Sequence, residues 1–480
     1  MARLNELNLI DALEGLKTGR FTSTELVTAC YEQIEQFDPV VKAFVTFTKE
    51  RALEQAKEAD DLIQKEGGKA FEKKPLLGIP YACKDNFSTT GIETTASSNI
   101  LKGYFPPYES TVTTRVNEAG GIMLGKTNMD AFAHGSSTET SDFFKTLNPW
   151  DISRVPGGSS GGSAVAVASD MCIFALGSET AGSIRGPAAW CGVTGMKPTY
   201  GRVSRYGVIA MASSTDSPGP LTKTVDDAAY VLEIIAGKDP FDATTSPKSV
   251  PEYSGFIKDF DLKGFKIGRP RSYFEIDLED EVREIVESAV KKYEELGAEI
   301  VDMDLLDPKY SIAVYTILQR SEVSSNLARL DGIRYGQNRE AFGMEARKRM
   351  MLGAYTLSAG YYDAYYSKAQ KVRTLIIEDF NEAYKKVDLV IGPTMPSIAL
   401  KLGESDNSPM FGELMDVLAE PSAIAGLPGI SINAGFSRGM PVGVQLIGQQ
   451  LTEGNVMGVA KVFQQNTDFH LNRPVIKSSE

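Results

Sequence analysis

Short apolar runs of strand length recur along this sequence between amphipathic stretches of helix length, and that alternation restricts the chain to an α/β architecture. In the first half, Thr22-Ser23-Thr24-Glu25 has the spacing of a capping box ahead of ELVTACYEQIEQF, and a second polar helix is expected from about Lys49 to Lys65. PLLGIPYACKDN then reads as a buried strand, TTRVNEAG as a helix end closed by glycine, and GIMLGK as another strand. The pattern returns where DEVREIVESAVKKYEELG leads into AEIVDMDL, and where DAYYSKAQKVRTLIIEDFNEAYKKV leads into DLVIGP. The predicted fold is a mixed, mostly parallel central β-sheet covered by helices on both faces.

Composition narrows the function classes. A chain of 480 residues, 42% hydrophobic and 24% charged, is expected to bury a large core. Its formal net charge of −13, without a long basic run, argues against a direct grip on nucleic acid. Cys30, Cys83, Cys172 and Cys191 form no C-x-x-C pair, so they read as buried thiols of a reducing compartment and not as a disulfide framework or zinc site. MARLNELNLIDALEGLKTGR lacks the apolar core of a signal peptide, and the apolar stretch from Ala164 to Leu176 is too short to span a bilayer. A cytoplasmic location with no membrane partner is the expectation.

One composition anomaly stands out, the run PGGSSGG from Pro156 to Gly162. A flexible linker is the bland reading. The run is followed at once by SAVAVAS, a small-residue helix pattern, which places the glycines where a loop enters a buried helix. A phosphate loop would need a lysine after the glycines, and none follows. A nucleophile elbow matches Gly157 to Gly161 with Ser159 as nucleophile, but NPWDISRVP is not the apolar strand that such an elbow requires. The chain contains only His134 and His470, both read as structural, so an activated serine needs another base. Lys84, at the end of LLGIPYAC, is a candidate because burial can depress a lysine pKa by roughly 3–5 units. Asp85 beside it keeps an ordinary ion pair open as the alternative. A second cluster, GSETAGSIRGPAAWCG (177–192), follows the apolar MCIFAL and precedes PAAW, a setting that aims backbone N–H groups at a developing oxyanion. Ser183 with Thr180, Ala181 and Gly182 can supply nucleophile and oxyanion hole there, or be turn residues only.

Together these pieces resemble the amidase signature family, marked by a lysine, a Gly-Gly-Ser-Ser-Gly-Gly loop and a following G-S-x-T-x-G-S-[IV]-R segment. The resemblance implies the amidase signature fold and a Ser-Ser-Lys mechanism. In it Lys84 is the base, Ser159 relays the proton through a cis peptide, and Ser183 attacks the amide. It also implies a single amidase domain over 1–480, with an N-terminal helical segment about 1–66, a signature core about 75–230 and a C-terminal part about 240–480. Segments 196–229, 324–336, 358–376 and 425–431 are similar to the glutamine-hydrolysing A subunits of tRNA-dependent amidotransferases. For that group the resemblance implies that Arg349 grips the glutamine α-carboxylate, Asp416 meets the α-amino group, and Tyr315 lines the pocket.

The same resemblance implies no metal or cofactor in this chain. Ammonia would pass to a B subunit that uses ATP and Mg²⁺ to amidate Glu-tRNA(Gln) or Asp-tRNA(Asn), with a small C subunit completing a heterotrimer and tRNA held mainly by the partner. Two other readings stand beside it, a stand-alone amidase and a catalytically weak structural subunit. The last is suggested by Ala181 and Gly186, where the family usually has glycine and glutamine. Glu179 also replaces the usual aspartate, and the segment between Gly336 and Gly343 is shorter than usual. A methyl group at Ala181 would narrow the oxyanion turn if that backbone required φ > 0.

Overall fold

A computed structural model describes residues 3–407 and 410–476. In chain order its strands are β1 (Phe44–Phe47), β2 (Pro80–Lys84), β3 (Ile122–Thr127), β4 (Phe174–Glu179), β5 (Thr194–Lys197), β6 (Ser217–Thr222), β7 (Lys266–Pro270), β8 (Glu299–Met303), β9 (Leu389–Pro393), β10 (Gly429–Ser437) and β11 (Met440–Gly448). They join in one sheet of order β1-β3-β2-β4-β6-β5-β10-β11-β9-β7-β8, which draws strands from both halves of the chain.

The α/β class and the mixed sheet agree with the sequence reading, but the expected predominance of parallel pairing does not hold. Only β2–β3, β2–β4, β7–β8 and β7–β9 are parallel, and the other six neighbour pairs are antiparallel. The reason is local. The strands legible in the sequence, β2, β3, β4, β8 and β9, each belong to a parallel pair. The centre of the sheet is instead built by β6, β5, β10 and β11, where β10 and β11 form a hairpin through Arg438 and Gly439, both at positive φ.

Period-two alternation sorts the strand side chains onto two faces. From β2, β3 and β4, Tyr81, Cys83, Met123, Phe174 and Leu176 enter one core, while Ala82, Ile122, Leu124 and Ala175 enter the other. The second core is made with helices Ser23–Val41, Lys49–Glu66 and Gly161–Ala168. The first of these starts at the expected capping box, in which Thr22 Oγ1 accepts from Glu25 N (3.1 Å) and Glu25 Oε2 accepts from Thr22 N (2.8 Å). Helix Gly161–Ala168 is buried throughout and carries only small residues, so it can lie against backbone. A Cβ at Gly162 would come within 2.5 Å of the carbonyl oxygens of Ala43 and Asn128. All four cysteines are buried and free. No helix among the described residues is long and apolar enough to cross a membrane.

β2 and β3 end side by side, with Lys84 opposite Thr127, and two lysines near this edge have different surroundings. Lys126 takes the carboxylate that the sequence had left as a possible partner for Lys84. Its Nζ lies 3.5 Å from Asp85 Oδ1 and donates to Phe87 O (2.7 Å), Thr94 Oγ1 (2.9 Å) and Thr89 Oγ1 (3.1 Å). Asp85 Oδ2 in turn accepts from Thr95 and Ser97 N–H. This fully buried pair fixes the loop that follows Lys84. We expect Lys126→Met to leave the Asp85 charge unpaired and to destabilise the fold by about 3–5 kcal/mol. A Lys126→Met/Asp85→Asn double variant should recover much of that loss in denaturant titrations, and simple additivity of the two single losses would contradict the pairing.

Candidate active site

The candidate site forms beyond the C-terminal ends of the parallel strands β2 and β4, where an α/β sheet leaves loops free to converge. Lys84 closes β2 with no exposure to solvent. Its Nζ lies 2.8 Å from Ser159 Oγ, 2.8 Å from Ser160 Oγ, and 3.1 Å from both the carbonyl oxygen and the Oγ of Ser178. None of these is a carboxylate. Desolvation therefore dominates, and burial depresses the amine from 10.5 to about 7 against the weaker pull of Asp130, Asp216 and Glu179. A neutral amine here can donate to the Ser178 carbonyl, which only accepts, while its lone pair faces hydroxyl hydrogens. Ser159 is thus both proton donor and acceptor within reach of a base. The peptide bond between Gly158 and Ser159 is cis, as the resemblance implied.

The loop after β4 carries Thr180, Ala181, Gly182 and Ser183, all buried. Ser160 N donates to Ser183 O (3.2 Å), which ties this loop to the double-serine loop. Among the described residues none accepts a hydrogen bond from the N–H of Ala181, Gly182 or Ser183. Unmet buried donors of this kind suit a developing negative charge. Ala181 is not among the residues at positive φ, so its methyl group is accommodated without backbone strain.

A buried clasp holds the loop in this shape. Glu179 Oε2 accepts from the N–H groups of Ile184 and Arg185 (3.0 Å each), and Oε1 accepts from Arg185 Nε (2.9 Å) and Nη2 (2.6 Å). Arg185 also donates to Gln445 Oε1 (2.6 Å), Ser422 Oγ (2.9 Å) and the carbonyl oxygens of Ala181 (3.1 Å) and Ala419 (3.0 Å). Thr180 Oγ1 is used structurally, donating to Asp216 Oδ1 at 2.7 Å.

Asp416 reaches the same loop from the other side, close enough that a Cβ on Gly182 would collide with its Oδ1. Its Oδ2 accepts from Ser136 Oγ (2.7 Å), whereas Oδ1 has no hydrogen-bond partner within the chain. Burial pushes this carboxyl up to about 8, helped by the charges of Glu179 and Glu413. A cationic group beside Oδ1 would restore the ionised form. Tyr315, on helix Lys309–Leu327, is buried within electrostatic range of Arg349, Asp416, Glu420 and Glu413. Arg349, on helix Met344–Thr356, is buried with Nε donating to Glu345 Oε1 at 2.8 Å. The three predicted substrate residues therefore share one buried polar neighbourhood, together with the Arg320–Glu413 pair (2.8 Å).

Ser160, Ser178, Ser136, Glu413 and Arg320 were not singled out in the sequence. Ser160 was legible in principle as the twin of Ser159, but nothing in the spacing of the others announces their contacts. Among the described residues no group of three or more His, Cys, Asp or Glu side chains is arranged to hold a metal ion. A cleft of about 500 Å³ bounded by Ile100, Tyr104, Val208, Leu330 and Tyr335 contains none of Lys84, Ser159 and Ser183, so it stands apart from the buried cluster.

The family model described as Amidase matches residues 25–457. A protein of Carboxydothermus hydrogenoformans, named as the A subunit of glutamyl-tRNA(Gln) amidotransferase, is 48% identical over 98% of this chain and 99% of its own length. Its namesake from Caldanaerobacter subterraneus is 50% identical over 96% of each chain. Among solved structures, the Thermotoga maritima protein of the same name superposes with a TM-score of 0.83 at 41% identity, covering 99% of both chains. A peptide amidase of Stenotrophomonas maltophilia gives 0.84 at 28% identity, covering 98% of this chain and 99% of its own.

Any reaction that uses the Lys84 lone pair needs the amine deprotonated, so activity should rise with pH through about 7. In kcat/KM measured with an amide substrate we expect about a tenfold rise per pH unit on the acid side and a plateau above about pH 8. A profile flat from pH 5 to 9 would exclude Lys84 as the base.

Proposed function

The chain belongs to the amidase family, and we propose that it is the glutamine-hydrolysing subunit of a tRNA-dependent amidotransferase, working through Lys84, Ser159 and Ser183. The observation that carries the mechanism is the buried, carboxylate-free Nζ of Lys84 bonded to Ser159. Neutral Lys84 takes the Ser159 proton as Ser159 takes that of Ser183, and Ser183 Oγ bonds to the side-chain carbonyl carbon of glutamine. The N–H groups around Ala181 and Gly182 stabilise the oxyanion. The proton returns along the same relay to the leaving nitrogen, the C–N bond breaks, and ammonia departs from a glutamyl ester. Water, deprotonated by the same amine, then cleaves the ester to give glutamate and free Ser183.

Substrate selection follows from the polar neighbourhood behind the loop. Arg349 is assigned to the α-carboxylate, which a guanidinium grips well. Asp416 is assigned to the α-amino group, whose charge answers the unmet Oδ1. Tyr315 lines the space between them. Near-full-length identities of 48–50% to proteins named as amidotransferase A subunits favour this reading over a stand-alone amidase, for which the peptide amidase is the more distant comparison. Of the two residues that suggest the weak-subunit reading, Ala181 is not at positive φ, so its methyl group does not require a left-handed turn, while Gly186 keeps that reading as the second outcome of the assay below. In this proposal the complex resides in the cytoplasm. B and C partners complete it, and ATP, Mg²⁺ and most tRNA contacts belong to the B partner, in keeping with the net charge of −13 here.

In the assembled complex, Ser183→Ala should abolish release of ammonia from glutamine while leaving the folded state intact, and Lys84→Ala should reduce it by at least about 10³-fold. The isolated chain should be far slower than the complex, whereas equal rates with and without partners would favour a stand-alone amidase. Undiminished turnover in either variant would remove the residue from the mechanism.

A further inference from the structure

His134 is 1% exposed, yet neither Nδ1 nor Nε2 has a hydrogen-bond partner within the chain. Buried imidazoles normally meet at least one partner, so a ring with both nitrogens unmet calls for a specific explanation. The residue caps the short turn Ala131–Ala133, its carbonyl accepts from Thr140 Oγ1 (3.2 Å), and its ring centroid stands 6.1 Å from that of Phe132. Burial keeps the imidazole neutral, helped by the positive charges of Arg349 and Arg320. Two residues further on, Ser136 holds Asp416. His134 thus belongs to the polar neighbourhood assigned above to the substrate, although the Ser-Ser-Lys relay makes no use of it.

We infer that His134 is a further substrate-positioning residue, whose ring N–H donates a hydrogen bond to the same substrate carboxylate that Arg349 grips. The inference rests on the glutaminase reading for the identity of that carboxylate. A neutral ring adds a directed donor without a third positive charge, so it sharpens the requirement for a planar acceptor beside the guanidinium. An amide lacking the carboxylate would leave this donor unmet and be discriminated against.

The test compares wild type, His134→Leu and His134→Gln in the assembled complex with glutamine and with 4-aminobutanamide, which is glutamine without its carboxylate. His134→Leu should raise KM for glutamine about tenfold with a much smaller change in kcat, and should lower the preference for glutamine over 4-aminobutanamide by about the same factor. His134→Gln, which restores a donor, should recover most of the KM. Equal losses on both amides would overturn the inference in favour of a packing role, as would unchanged kinetics in His134→Leu. Should wild type release no ammonia from glutamine yet hydrolyse another carboxylate-bearing amide, the glutaminase reading falls and not the assignment of His134. The same comparison on that amide, with and without its carboxylate, then decides the role of His134.

Discussion

The site depends on keeping one amine dry and giving it no counter-charge. Lys84 ends a fully buried strand and meets only hydroxyls and a carbonyl. Had Asp85 turned toward it, the pair would have stayed ionised and the amine would be useless as a base at neutral pH. Lys126 prevents this by engaging Asp85 itself, so two lysines of similar burial differ in what they face. The sheet around them supplies the seclusion. Alternating side chains of β2, β3 and β4 feed a core on each face, and the all-small helix Gly161–Ala168 lets the double-serine loop sit directly over the strand ends.

Much of the site was legible in the residues because its parts are local motifs. The capping box of helix Ser23–Val41, the strand before Lys84 and the loop-to-helix entry after Pro156 each carry a short-range signal that the fold obeys. The antiparallel centre carried no such signal. In β10, Gly429, Asn433 and Gly435 interrupt the apolar pattern, and β6 contains Pro218, Gly219 and Pro220, residues that strand propensity disfavours. Apart from the local β10–β11 hairpin, their pairing joins segments distant in the chain. The predicted buried strand over PLLGIPYACKDN likewise shortens to Pro80–Lys84, because Leu77 and Ile79 N–H groups close local turns onto Lys74 and Leu76.

The same division holds at the level of single residues. Lys84, Ser159 and Ser183 are recognisable because each sits in a motif, and the first two meet directly. Ser136, Arg320 and Glu413 lie far along the chain from their partners, and sequence spacing says nothing about such meetings. Asp85 was ambiguous for a simpler reason. It lies just past the end of β2, in the loop that turns its carboxylate to Lys126 of the neighbouring strand, so adjacency to Lys84 in the chain did not identify its ionic partner.

The contact between Gly182 and Asp416 ties two properties that enzymes often tune apart. The turn expected to hold the tetrahedral intermediate and the carboxylate expected to read the ligand's ammonium press on one another without room for a methyl group. An evolutionary change that widens selectivity by moving that acid must also reshape the turn, and one that enlarges the turn must evict the acid. Divergence toward new amides in this scaffold is therefore constrained to proceed by paired substitutions at these two positions.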